Sequence, residues 1–148
     1  MRPLYIFDLD GTLALNGHRE YLVQGEHKNW QAFFRACVDD APNYPVIKTF
    51  HLLQRLGSID IVVWSGRSDE VEQETRDWLD DNEIFPDSLL MRRAGDFTPD
   101  EVLKRKWYEE LGSHDKARLV AVFDDRDKVV AMWRSIGVAC FQVAPGKF

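Results

Sequence analysis

The strongest constraint on this chain is an alternation. Five short apolar runs (Leu4–Phe7, Ile59–Trp64, Leu89–Met91, Leu119–Phe123 and Ala139–Val143) are separated by segments whose apolar residues recur at helical spacing. The second run, Ile59-Asp60-Ile61-Val62-Val63, is dominated by β-branched residues, as a strand covered on both faces requires. Between the runs, Val46–Leu56 repeats apolar residues on one helical face and stops at Gly57. Glu70–Asp81 is charged outside, with Val71, Thr75, Trp78 and Leu79 at helical spacing. Thr98 is the expected N-cap of a further helix, with Pro99 at its first position and Glu101 completing a capping box. Asp127–Ile136 closes with Gly137. Strands alternating with helices imply βαβ units and a parallel sheet with helices on both faces. The 148 residues suit one domain, 1–148, that buries roughly 68–70% of its extended-chain surface.

One stretch breaks the alternation. Residues 16–44 hold His18, Arg19, Tyr21, Trp30, Phe33 and Phe34 and end between Pro42 and Pro45. Trp30–Val38 has helical periodicity, so a small helical insertion is expected here, lying as a cap over one edge of the sheet. It is too short to be a second domain, and its aromatics are ordinary core material unless a ligand claims them.

Composition excludes several classes of function. No apolar stretch approaches the length of a membrane span, and the N-terminal residues lack the basic-then-apolar layout of a signal peptide. Cys37 and Cys140 match no metal-ligand spacing, which suits buried thiols in a reducing cytoplasm. A net charge of −6 gives no global footprint for a polyanion, so a phosphate-bearing ligand must be held by a local basic cluster or a metal ion. His18, His27, His51 and His114 have no partners at ligand spacing and are expected to be solvated or to pack.

The candidate chemistry lies at the ends of the runs, where open α/β sheets bind ligands. The first run ends in Asp8-Leu9-Asp10-Gly11-Thr12, two carboxylates two residues apart in a tight turn. The second is followed directly by Ser65-Gly66-Arg67, a hydroxyl, a glycine that lets backbone approach, and a cation, which suit a phosphate oxyanion. The third leads to Arg92 and Arg93, and the fourth to Asp124-Asp125-Arg126. Lys104, one turn into the helix after Pro99, could reach inward. Asp8, Asp124 and Asp125 form an oxygen-only set that suits Mg²⁺ rather than Zn²⁺. A carboxylate can attack phosphorus to give an aspartyl-phosphate, and a second acid can protonate the leaving oxygen and then activate water.

As a set, these motifs resemble the haloacid dehalogenase (HAD) superfamily over nearly the full length. Asp8-Leu9-Asp10-Gly11-Thr12 is similar to its first motif, Ser65 to its second, Lys104 to its third and Asp124-Asp125 to its fourth. The resemblance implies a three-layer Rossmannoid fold with a five-stranded parallel sheet in the order 5-4-1-2-3. It implies Asp8 as nucleophile, Asp10 as general acid/base, and Mg²⁺ held by Asp8, the main-chain carbonyl of Asp10, Asp124 and the nearby Asp125. Within the superfamily, Ser65-Gly66-Arg67, Arg92 with Gly95-Asp96, Lys104, and the stretches 124–134 and 136–148 look like the 3′-phosphatase domain of phage polynucleotide kinase–phosphatase. That resemblance adds Arg19, Arg67 and Arg92 as a grip on the phosphate, beside Thr12, Ser65 and Gly66. It implies a phosphomonoesterase acting on a 3′-phosphorylated nucleic-acid end, in the cytoplasm of a bacterium or phage-infected host. No Gly-x-x-x-x-Gly-Lys-Ser/Thr loop is present, so this stretch is expected to lack a kinase half and to leave room for a separate kinase or ligase partner. The insertion also differs from the phage pattern, which bears on the substrate more than on the chemistry. Free nucleotides or another small phosphorylated metabolite are the alternative substrates. A non-catalytic phosphate-binding module is the alternative of another class, disfavoured because Asp8 and Asp10 are both intact.

Overall fold

The computed structural model describes residues 1–148. Its architecture follows from how β1 (Leu4–Phe7) divides its side chains. Successive strand residues point to opposite faces. Phe7 enters a core cluster with Val46, Ile47, Phe50, Trp78 and Leu79, and Ile6 enters a second one with Val122, Val129, Val130 and Trp133. Helices therefore cover both faces, and the sheet is the middle of three layers.

After β1 the chain makes β2 (Ala14–Leu15), a 3-10 segment Gly17–Val23, helix α1 (Trp30–Arg35), a second 3-10 segment Ala36–Asp39 and β3 (Ala41–Pro42). β2 and β3 pair antiparallel, clasping the base of this excursion. Then come α2 (Tyr44–Leu56), β4 (Asp60–Ser68), a short 3-10 turn Asp69–Val71, α3 (Glu72–Asp81), β5 (Ser88–Arg92), α4 (Asp100–Glu109), α5 (Ser113–Arg118), β6 (Leu119–Asp124), α6 (Asp127–Ser135) and β7 (Cys140–Gln142). The main sheet runs β5-β4-β1-β6-β7 and every pair in it is parallel. The expected order 5-4-1-2-3 numbered five strands only. The ribbon β2–β3 takes two labels, so the observed numbers differ, while the neighbour pairs are the same read from the opposite edge.

Three details depart from the sequence reading. Ser65, Gly66 and Arg67 lie inside β4 rather than after it. Ser65 faces Met91 and Ser68 faces Arg92, so the strand carries two extra residues against its partner, a bulge at the sheet's carboxyl edge. Thr98 does not cap α4, which begins at Asp100 with Pro99 preceding it. The Thr98 hydroxyl and amide are both spent on Asp96 Oδ1, at 2.6 and 2.9 Å. Finally, α5 buries no residue, so its sequence carries no apolar face from which to foresee it.

α2 starts with Pro45 in its first turn and ends where Gly57 takes a left-handed φ of 67°. Cys37 and Cys140 are both buried and unpaired, and burial pushes the Cys140 thiol up to about 12. No helix is long and apolar enough to cross a membrane.

Candidate active site

The loop after β1 is built to turn sharply and to present two carboxyl groups at the sheet's carboxyl edge, Asp8 buried and Asp10 partly exposed. The Asp8 amide still donates to Phe123 O at 2.9 Å, tying the loop to β6. One carbonyl, that of Leu9, then accepts the amides of Thr12, Leu13 and Ala14 at 3.1, 2.9 and 2.9 Å. Gly11 has a φ of 79°, and a Cβ there would collide with the Asp125 carboxylate. Both facts require glycine.

Five side chains, from the turn itself, α4 and the end of β6, converge here. Lys104 Nζ, buried on α4, donates to Asp8 Oδ1 at 2.7 Å and to Asp124 Oδ2 at 2.8 Å. Thr12 Oγ1 donates to Asp8 Oδ2 at 2.9 Å. The amides of Asp125 and Arg126 donate to Asp124 Oδ1 at 2.9 and 3.1 Å. Asp8, Asp124 and Asp125 each offer an oxygen within 4.8 Å of the others. Three carboxylates meet one ammonium, so two negative charges are uncompensated. The consequences are visible in proton affinity. Burial, then Asp124, hold Asp8 well above the usual carboxylate range against the pull of Lys104. Burial and Asp124 push Asp125 up to about 6. Burial would lower Lys104, but Asp124 and Asp8 outweigh it and hold the ammonium above its ordinary value. An oxygen-only donor set with an excess of two charges fits a hard divalent cation such as Mg²⁺.

Asp10 sits in the opposite environment. Its Oδ1 accepts from Arg19 Nη2 at 2.6 Å and from Arg67 Nη2 and Nε at 2.7 and 3.1 Å. Burial would raise it, yet Arg67 and Arg19 hold it below the usual carboxylate range. The same two arginines share a second carboxylate, Asp40, whose Oδ2 accepts from Arg19 Nη2 at 2.7 Å and Arg67 Nη2 at 3.0 Å. Asp40 Oδ1 accepts Arg19 Nε at 2.8 Å and lies 2.7 Å from His18 Nε2. Arg19 also donates to Phe33 O at 3.0 Å, with its guanidinium 4.3 Å above the Phe33 ring. Arg67 also donates to Thr75 Oγ1 at 3.0 Å. The side chains of Arg19, Arg67 and Asp40 have no exposed surface. Two guanidiniums and two carboxylates thus form a neutral quartet beside the charged cluster, fully buried except for Asp10, which reaches the crevice.

The remaining expected phosphate ligands are placed differently from one another. Ser65 is buried and its Oγ accepts the Arg67 amide at 3.1 Å. Gly66 opens its backbone to the crevice, and a Cβ there would collide with Asp100. Arg92 does not present a free guanidinium. Nε donates to Gly66 O at 2.8 Å, Nη1 to Thr98 O at 2.5 Å and Asp96 O at 3.1 Å, and Nη2 to Asp100 Oδ1 at 2.5 Å. It is a strut that holds the bulge of β4 to the start of α4. Asp10 and Asp125 line a crevice of about 520 Å³, with Trp30 and Phe34 from the excursion and Phe97 from the β5–α4 loop.

Sequence reasoning missed Asp40 and Asp100. Neither stands in a motif. The only signal for Asp40 was arithmetic: two buried arginines need more than the one carboxylate of Asp10. His18, expected to be solvated or packing, is half-exposed with one ring nitrogen on Asp40.

Comparison with known proteins returns a coherent set. The family model described as the polynucleotide kinase PNKP phosphatase domain matches residues 2–148. A protein of Autographa californica nuclear polyhedrosis virus, named for polynucleotide kinase and RNA ligase, is 33% identical over 132 residues, covering 88% of this chain and 18% of the relative. A chain in the structure of a Pnkp1/Rnl/Hen1 complex is 30% identical with a TM-score of 0.84, covering 100% of this chain and 48% of that one. A Clostridium difficile protein is alike in fold alone, at 11% identity and a TM-score of 0.65 over 94% of this chain and 83% of that one. The chain therefore spans about a fifth of the viral relative and about half of the complexed one.

Proposed function

The chain belongs to the family of polynucleotide kinase PNKP phosphatase domains, within the HAD phosphatases, and from that premise we propose that it removes a terminal 3′-phosphate from a nucleic-acid end through an aspartyl-phosphate. The observation that carries the reading is the division of labour around one turn. Asp8 lies against Lys104 and the acidic cluster, while Asp10, two residues on, lies against two buried arginines.

Asp8 is the nucleophile. Thr12 and Lys104 fix its carboxylate, so little reorientation precedes attack. Asp8, Asp124, Asp125 and the main-chain carbonyl of Asp10 would hold Mg²⁺, which supplies positive charge for the phosphoryl oxygens. One Asp8 oxygen bonds to phosphorus as the bond to the 3′-oxygen breaks, and Asp10 gives its proton to that oxygen. Asp10 then takes a proton from water, which attacks phosphorus and breaks the bond to Asp8. Arg19 and Arg67 hold Asp10 from its buried side, while Asp10 itself faces the crevice. A phosphate arriving beside Asp10 adds negative charge there and so raises Asp10's proton affinity when an acid is needed. Ser65 and the Gly66 backbone receive the phosphate, and Arg92 keeps that bulge in place from behind. The 16–44 excursion acts as a small cap that leaves the crevice open enough for the end of a long substrate.

The relatives named for polynucleotide kinase, RNA ligase and RNA repair support a setting in which kinase and ligase activities complete the work on the healed end. A free nucleotide is the second reading, favoured by Glu20, Glu70, Asp96 and Asp100 in the crevice walls, which leave no continuous basic stripe. Phosphate release from matched oligonucleotides with a 3′- or a 5′-phosphate, beside nucleoside monophosphates, separates the two in the presence of Mg²⁺. Selective 3′ release is expected; faster release from free nucleotides would move the substrate to metabolism.

A further inference from the structure

The phosphate chemistry leaves one wall of the crevice unused. Phe97 stands on the loop between β5 and α4 with 77% of its surface exposed, and no aromatic ring of the chain packs on it. A ring so exposed gains free energy when a flat apolar partner covers it. The loop beneath it is nevertheless pinned. Asp96 Oδ1 accepts from Thr98 N and Oγ1 at 2.9 and 2.6 Å, and Arg92 holds the carbonyls of both Asp96 and Thr98. The ring is therefore presented on a fixed backbone. Trp30, 38% exposed, lines the same crevice and is braced by Phe33 and Phe34 at ring separations of 5.6 and 6.0 Å. Arg93, also in that lining, makes no ion pair, whereas Arg92 and Arg126 are both paired with Asp100.

Exposed rings with a free cation, in one cavity with Asp10 and Asp125, the acidic neighbours of Asp8, match a particular ligand. A nucleotide at a chain end offers a flat π-face, a phosphate to be removed, and a phosphodiester on the other side of its sugar. The crevice of about 520 Å³ lies within the roughly 300–1,000 Å³ of small-ligand pockets. We propose that Phe97 is a stacking platform for the base of the nucleotide bearing the phosphate, with the Trp30 indole as a second apolar wall. This rests on the phosphatase reading, since it takes the phosphate of that nucleotide to be the one Asp8 attacks. Stacking is indifferent to base identity, so the platform selects for a base without selecting its sequence.

The test reads binding separately from turnover. The Asp8→Asn chain is titrated in Mg²⁺ with two 3′-phosphorylated oligonucleotides, one with a normal terminal nucleotide and one whose last residue is an abasic tetrahydrofuran. The base-bearing end should bind roughly tenfold more tightly, in line with base–aromatic stacking measured by alanine substitution. Adding Phe97→Ala should bring the ratio to about one, and Phe97→Trp should keep it, as an exposed platform requires. Equal affinities in Asp8→Asn, or a ratio that survives Phe97→Ala, would overturn the platform and leave Phe97 for another partner. Turnover of the same oligonucleotides by the unmodified chain decides the phosphatase reading by itself: a tenfold binding ratio without phosphate release would retain the platform and remove the enzyme.

Discussion

Replacing Asp40 with asparagine tests the buried quartet with almost no change in shape. Asp40, Arg19 and Arg67 all have fully buried side chains, and Asp40 takes hydrogen bonds from both arginines as well as lying on His18. With its charge removed, two guanidiniums share only Asp10, and one positive charge stays buried without a counterion. Breaking a buried pair in this way costs about 3–5 kcal/mol. The asparagine oxygen still accepts one bond, which places the expected loss near the lower end, about 3 kcal/mol. At about 2–4 °C per kcal/mol for a domain of this size, the midpoint should fall by roughly 6–12 °C. Thermal unfolding followed by circular dichroism at fixed ionic strength measures it, with the exposed Asp80→Asn as control. The quartet reasoning is refuted if Asp40→Asn melts no lower than that control. Phosphatase rate should also fall, because Arg19 and Arg67 lose the carboxylate that orients them.

Two other outcomes follow from local geometry. Gly11→Ala puts a Cβ against Asp125 at a φ of 79°; it should cost about 1–3 kcal/mol in urea unfolding and lower the rate far more than an exposed Gly25→Ala change. Asp60 is held below the usual carboxylate range chiefly by the hydrogen bond from Arg2, with Arg118 adding to it. A depressed folded value means this contribution is present above the unfolded carboxylate range, near about 3.9, and is lost as pH falls through the folded value. Melting curves of Asp60→Asn should therefore lie below the unmodified chain at pH 7 and converge with it in strong acid; a constant gap across pH would contradict the assignment.

The architecture was legible because periodicity is a local signal. The runs at Leu4, Ile59, Leu89, Leu119 and Ala139 alternate with helical segments, and each core helix shows its buried face in sequence. α5 was invisible since nothing on it is buried, and the ribbon β2–β3 because two residues per strand cannot show a period. In the site, Asp8, Asp10, Lys104 and Asp124 could be read from their places at strand ends and in motifs, and the structure brings all of them to one edge of the sheet. Arg92 could be named but not understood, because its guanidinium turns to carbonyls that only the folded β5–α4 loop supplies. Asp40 could not be named at all. Its meaning arises from two arginines that are 21 and 27 residues distant along the chain and adjacent only in the fold.

The central claim is that Asp8 takes the phosphoryl group. Mixing the chain and Mg²⁺ with an oligonucleotide carrying a ³²P-labelled 3′-phosphate, quenching in acid within one turnover, and mapping the label by proteolysis tests it directly. The account predicts label on the peptide containing Asp8, with label and phosphate release both abolished in Asp8→Asn. Phosphate release that persists in Asp8→Asn would contradict it.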